Sequence, residues 1–369
     1  MKRHIAEYVS PGHPDRLADA IVESIVECAV SLDAEALVGI ECAVHTDHVF
    51  IDGRIACGHG ICSLVHDDIE RLVREVYAAA GYGSRWIPSP DALKVIQNVC
   101  LEALEDDERN ARALSDDQNV VTGYACNHPE TDYLPPAHFI ANFIGRAVDA
   151  FRRTKPAAFG PDFKVLVSLS FDGARAYSWQ RLTISIQHAP GVYPEEQHAL
   201  IRPVVDQALR ELETRGLPGI SVLPTERFVL NGAGDFIQGG PEGDNGLSGK
   251  KLAIDFYGPE IPIGGGAICG KDPHKVDVAG AFRARELAKR LLLARGGESV
   301  TVRLGWTPGE ATPSFREAET SDSLGLVRNI PESALPSEDW FSIKAIVADG
   351  KLTTCPRRSS LLRGYFFNG

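Results

Sequence analysis

A pair of strands joined by a turn and flanked by an amphipathic helix occurs three times along this chain, and that repetition restricts it to α+β architectures. After Pro14, the apolar residues Leu17, Ile21, Val22, Ile25, Val26 and Ala29 keep the three–four spacing of a helix with one buried face. Residues 37–55 read as a hairpin, with Val38, Ile40, Cys42 and Val44 set against Val49, Phe50 and Ile51 around the turn Thr46-Asp47. A helix follows, with Ile69, Leu72, Val73, Val76 and Tyr77 on one face. The middle third repeats the theme, with strands at 165–170 and 182–186 around the turn signal Asp172-Gly173 and a helix near 195–215. In the last third, 228–230 and 252–256 read as strands, 273–294 as a helix and 300–306 as a strand. The expected fold class is α+β, with helices on one face of mainly antiparallel sheets. The stretch 102–117 carries Glu102, Glu105, Asp106, Asp107 and Glu108, and reads either as a solvated linker or as a mobile lid over a site.

With 369 residues, 44% of them hydrophobic, the chain can bury a substantial core in two or three domains. It has no run of eighteen apolar residues and no apolar N-terminal leader, so the expectation is a cytoplasmic protein without a membrane partner. Eight scattered cysteines lack the paired spacing of a disulfide framework and read as reduced thiols. Cys57-Gly58-His59-Gly60-Ile61-Cys62 is the nearest approach to a zinc pattern, but it lacks the second pair of ligands a structural site needs. A net charge of −12 argues against nucleic acid or an anionic membrane as partner, so a basic cluster has to serve a local purpose.

Four segments carry such clusters. Ser10-Pro11-Gly12-His13-Pro14-Asp15-Arg16 puts an imidazole and a carboxylate at a helix start, where free N–H groups favour phosphate and Asp15 suits a magnesium ligand. An ordinary capping role for the same two residues is the plainer alternative. In residues 239–251, five glycines lead into Ser248-Gly249-Lys250-Lys251, so backbone can approach a ligand beside two cations. Residues 264–277, Gly-Gly-Gly-Ala-Ile-Cys-Gly-Lys-Asp-Pro-His-Lys-Val-Asp, have P-loop spacing through Gly265, Gly270 and Lys271, but Asp272 stands where a P-loop needs Ser or Thr. Asp272-Pro273 instead reads as a helix N-cap and first residue, gathering Lys271, Lys275 and Asp277 at one helix start. Pro161-Asp162-Phe163-Lys164 adds a further lysine and carboxylate. As a set these suit a magnesium–triphosphate complex. No Ser or Cys nucleophile with a His base is evident, which fits attack by a neutral thioether sulfur, a step that needs positioning and charge stabilisation but no deprotonation.

Over most of its length the sequence resembles the methionine adenosyltransferase (S-adenosylmethionine synthetase) family, through Gly12-His13-Pro14-Asp15, Gly239-Gly240-Pro241 and the 264–277 signature, with further matches at Asp117-Gln118, Gly123-Tyr124-Ala125 and Gln187-His188. The resemblance implies three similar α+β domains related by pseudo-threefold repetition, here bounded at 1–101, 112–227 and 228–369. It implies a homodimer or dimer of dimers with active sites between subunits, ATP and methionine as substrates, magnesium (two ions per site) and potassium as cofactors, and cleavage of the released tripolyphosphate. Carried onto matching positions, His13, Lys164, Lys271 and Lys275 are catalytic. His13, Asp117, Asp162, Lys164, Phe236, Asp244, Lys250, Lys251, Ala267 and Lys271 bind ATP. Asp15 and Asp277 hold magnesium, and Glu41 holds potassium. Arg54, Asp244 and Lys275 meet the amino acid.

Departures from the family pattern gather on the amino-acid side. Asp52-Gly53-Arg54 replaces a Gly-Gly-Glu whose glutamate receives the methionine ammonium; the segment after Val99 lacks the usual Gln-Ser-Pro; Asp235 replaces an Arg before Phe236; and residues 306–313 replace a more aliphatic stretch. Arg16 stands in place of Lys and Lys250 in place of Arg. Arg54 in particular leads to the expectation of weak methionine use and a preference for another thioether. A non-catalytic nucleotide-binding relative that partners an active subunit is the alternative of a different kind.

Overall fold

The computed structural model describes residues 2–83, 85–171 and 176–354. The first part of the chain forms β1 (Lys2–Val9), α1 (Pro14–Leu32), β2 (Leu37–His45), β3 (His48–Ala56), α2 (His66–Ala80), β4 (Lys94–Glu102) and α3 (Asp106–Ala111). Next come β5 (Asn119–Cys126), α4 (Pro136–Arg153), β6 (Phe159–Phe171), β7 (Tyr177–His188), α5 (Pro194–Thr214) and β8 (Phe228–Leu230). The remainder supplies β9 (Gly246–Leu247), α6 (Leu252–Asp255), α7 (Val276–Arg295), β10 (Ser299–Trp306), β11 (Phe315–Ser321), β12 (Val327–Asn329) and α8 (Ile343–Asp349).

Among the described residues the strands form three four-stranded sheets, ordered β1-β6-β7-β8, β4-β3-β2-β9 and β12-β11-β10-β5. All pairings are antiparallel except β3 with β4 and β7 with β8. The α+β class is as expected. The sheets do not each fall within one of the segments 1–101, 112–227 and 228–369: β1 joins β6, β5 joins β10, and β9 joins β2.

Each sheet buries one face under helices, α1 on β2, α4 on β1 and β6, and α7 on β5 and β10. Strand alternation sets which residues face which way. On β2, Val38, Ile40, Cys42 and Val44 are buried, whereas Gly39, Glu41, Ala43 and His45 point to the opposite face. That opposite face also carries the exposed apolar side chains Phe50 and Ile96.

Two sequence expectations are corrected. Where a strand was expected over 252–256, Leu252–Asp255 form a single helical turn, α6, and the long helix expected from 273 starts at Val276. The turn signal Asp172-Gly173 lies outside the described residues. Among the described residues, no helix is long and apolar enough to cross a membrane.

Candidate active site

The start of α1 organises the first group of side chains. His13 is the N-cap residue, and its Nδ1 accepts from the Asp15 backbone N–H at 3.2 Å. An accepting Nδ1 leaves Nε2–H as the donor of a neutral ring. Burial, reinforced by the nearby Lys164 and Lys251 charges against the pull of Asp15, pushes the imidazole pKa down to about 3. The preceding loop is bonded into β6: Ser10 Oγ donates to the Pro161 carbonyl and accepts from the Phe163 N–H, each at 2.9 Å. A Cβ on Gly12 would stand 2.3 Å from that of Pro161, so this approach requires glycine.

Asp15 is buried and points at the lysine pair. One carboxylate oxygen accepts from the Leu247 N–H at 3.0 Å; the other is bonded to Lys251, and Lys250 Nζ lies 3.6 Å from the carboxylate. Burial pushes this carboxyl upward, but the bonds from Lys251 and Leu247 and the lysine charge outweigh it, so its pKa is lowered. A cavity of about 360 Å³ opens alongside, lined by His13, Asp162, Lys164, Ser185, Phe236 and Asp244. Asp162 accepts from the Gly240 N–H at 2.8 Å, and burial, against that bond and Lys164, pushes its carboxyl up to about 6.

The glycine-rich 264–277 segment organises the second group. Lys271 forms a bridge with Gly39 beside β2, and the Ile40 N–H donates to the Gly270 carbonyl at 3.0 Å. Lys271 Nζ lies 2.7 Å from Asp277 Oδ1, and Lys275 pairs with Asp116. Asp272 is not the cap of α7. It is buried, accepts from the N–H groups of Val38 and His274, each at 2.9 Å, and pairs with Arg112. Lys275 is the N-cap residue instead, which puts Asp277 in the first turn. A second cavity, of about 530 Å³, is lined by Glu41, Asp52, Ser248, Gly266, Ala267 and Lys271. The two cavities share no lining residue.

Arg54 lines neither cavity. Its Nε and Nη1 each lie 2.7 Å from a carboxylate oxygen, of Glu102 and Glu108 respectively. Asp117 accepts from the Gln118 N–H at 2.7 Å, next to the Asp116 that Lys275 holds. The acidic 102–117 stretch is thereby a strap. α3 sits within it, Arg109 binds Asp33 and Glu35, Arg112 binds Asp272, and Ser115 exchanges backbone bonds with Gly309 and Glu310. The 102–117 strap and the 306–313 segment are thus bonded to each other.

Sequence reasoning missed the support beneath the site. Arg16 is fully buried between Asp19 and Asp255, and Asp19 accepts from the Gly249 N–H at 2.8 Å, tying α1 to the loop of lysines. Asp19, Asp255 and Cys269 are the single group of His, Cys, Asp or Glu close enough to share an ion among the described residues, and Arg16 already supplies its positive charge. Cys57 and Cys62 stand with sulfurs 3.5 Å apart as free thiols.

Two polar cavities walled by lysines and carboxylates, on three sheets backed by helices, make an α+β protein suited to an anionic ligand. Three family models match in chain order, the S-adenosylmethionine synthetase N-terminal domain over residues 2–100, the central domain over 112–236 and the C-terminal domain over 238–354. The chain is 33% identical to S-adenosylmethionine synthase 2 of Rhodospirillum rubrum over 314 residues, 84% of this chain and 77% of that one. It is 31% identical to the S-adenosylmethionine synthase of Zymomonas mobilis over 373 residues, 98% of this chain and 92% of that one. Its fold is shared with an unusual S-adenosylmethionine synthetase from Campylobacter jejuni, with a TM-score of 0.82 at 24% identity, over 99% of this chain and 94% of that chain. The chain belongs to the S-adenosylmethionine synthetase family, and is with it a methionine adenosyltransferase.

Proposed function

We propose that the protein makes S-adenosylmethionine in the cytoplasm from ATP and methionine, and splits the released tripolyphosphate into pyrophosphate and phosphate. The observation that carries this reading is the matched arrangement of the two groups, each with a carboxylate held against lysine: Asp15 with Lys251, and Asp277 with Lys271. Lysines so placed suit a triphosphate, and two hard carboxylate donors suit its magnesium ions. Bound there, magnesium offsets the charge of the polyphosphate; Glu41, on the rim of the larger cavity, suits potassium.

The sulfur lone pair of methionine forms a bond to C5′ of ATP as the C5′–O5′ bond breaks, giving a sulfonium and a departing triphosphate. No proton has to be removed from the nucleophile. Negative charge grows on O5′, where the neutral His13 ring offers its Nε2–H as a donor. Lys164, Lys250, Lys251, Lys271 and Lys275 stabilise the chain of phosphates. Asp162, Phe236 and Asp244, with Asp117 and Ala267 from the other group, hold the nucleoside.

The two groups line separate cavities, and we assign a complete site to one group from each of two subunits of a homodimer or dimer of dimers. The exposed apolar residues Phe50, Ile96 and Leu247 beside the larger cavity support a covered face. Incubation with ATP, magnesium, potassium and methionine, followed by mass spectrometry, should yield the sulfonium product with equal pyrophosphate and phosphate. ATP binding without product would favour the non-catalytic relative, and product only with a different thioether would move the substrate.

A further inference from the structure

Building on that reading, we propose that Asp52 receives the ammonium group of the amino-acid substrate, in place of an acid at position 54. Asp52 and Arg54 lie two residues apart on the same face of β3, about 7 Å along the strand. Only Asp52 reaches the cavity that also holds Lys271 and Ala267. Arg54 is turned away and engaged by Glu102 and Glu108, so its charge does not oppose an ammonium in the cavity, and those two acids are spent on it.

Elimination among the nearby acids leads to the same residue. Asp277 is taken by Lys271 and Asp116 by Lys275, while Asp244, on the wall of the cavity that the partner group brings to the site, is the residue assigned above to the nucleoside. Glu41 and Asp52 remain. They are direct partners across the antiparallel ladder, and among the described residues neither carboxylate has an ion-pair or hydrogen-bond partner. Like charges directly opposite one another are unfavourable in a sheet unless a cation sits between them. A cavity that presents this pair on one wall and a lysine on another matches a zwitterion, with the ammonium at the acids. Glu41 is the residue matched to potassium, which leaves Asp52 for the amine. The charge swap at position 54 is therefore a relocation of the acid by two residues along one strand, and methionine remains the suitable substrate.

The test compares wild type with Asp52→Asn and Asp52→Glu, using methionine and the same thioether acid without its amine. Asp52→Asn should raise KM for methionine by roughly tenfold to a hundredfold, the scale for losing a hydrogen bond to a charged group. KM for ATP and for the deaminated acid should stay unchanged, and Asp52→Glu should recover part of the loss. An unaltered methionine KM in Asp52→Asn overturns the proposal, as does an equal rise for both thioethers. Failure of the wild type to form any sulfonium from ATP and methionine would instead overturn the reading of the reaction itself.

Discussion

Lys271 Nζ and Asp277 Oδ1 stand 2.7 Å apart across the entry to α7, so the cation proposed for phosphate and the anion proposed for the metal hold each other in place. A metal–polyphosphate complex offers each a stronger partner, the phosphate for the lysine and the metal for the carboxylate. The pair thus keeps both groups ordered and aimed, and shields each from the cost of an unpaired charge in a half-buried site.

Lys271→Ala is expected to lower turnover by about a hundredfold or more, the scale for removing one preorganised electrostatic partner of a developing charge. Steady-state assays at saturating ATP and methionine provide the measurement. Near-normal turnover would remove Lys271 from the leaving-group site.

Magnesium activation should be weakened both by Asp277→Asn and by a change that leaves every ligand in the sequence. A Cβ at Gly266 would fall 2.0 Å from Asp277 Oδ1 and 2.6 Å from Asn119 Nδ2. Gly266→Ala must therefore displace the carboxylate. Both variants should shift the magnesium titration to higher concentration; an unshifted curve in both would exclude Asp277 as a ligand.

Subunit complementation is the outcome expected of the proposed site, in which each of two subunits contributes one group. His13→Asn and Lys271→Ala damage different groups, so a mixed dimer keeps one undamaged site in which both groups are intact. Mixing, unfolding together and refolding the two inactive proteins should restore about a quarter of wild-type activity, since half the dimers formed are mixed and each carries one good site of two. No recovery would argue that both groups belong to one subunit's site.

Acid sensitivity should carry a measurable share from His138. Burial, helped by the positive charges of Arg16 and Arg285, pushes this imidazole down to about 3 in the folded protein. A depressed folded pKa means that its stabilising share is present above the unfolded value near 6.5 and is lost as pH falls from there toward 3. His138→Gln should reduce the fall in stability between pH 6 and pH 4 by about 1.4 kcal/mol per pH unit relative to wild type, read by urea unfolding. Equal slopes would mean that the ring is already protonated in the fold.

The periodic elements were legible because their pattern is local. α1, α2, α5 and the β2–β3 hairpin announce themselves by which side chains must be buried. α6 was not legible: Leu-Ala-Ile-Asp-Phe is a short, mostly apolar run, and at that length a buried strand and a helical turn have the same composition. Asp272 misled because an Asp before a Pro is a sound local cap, whereas its real partner is Arg112, 160 residues away in the chain. The pairing of Arg54 was hidden for a similar reason. Its partners Glu102 and Glu108 sat in plain view as an acidic run, but nothing local indicates that a strap folds back over β3. The grouping of Lys271 with Asp277 was legible, because both stand at one helix start within a single glycine-rich segment.

The exchange of strands among the three sheets also governs how the protein is born. As the chain leaves the ribosome, β1 has no partner until β6 emerges, with Lys2 set opposite Phe171, and β5 waits for β10, with Asn119 opposite Trp306. For most of synthesis, then, strand edges stand open, and an open edge is a template for pairing with another nascent chain. A message cut short before β10 would leave β5 without its neighbour in the sheet, and none of the three stretches named by the family models holds every strand of the sheet it mainly builds.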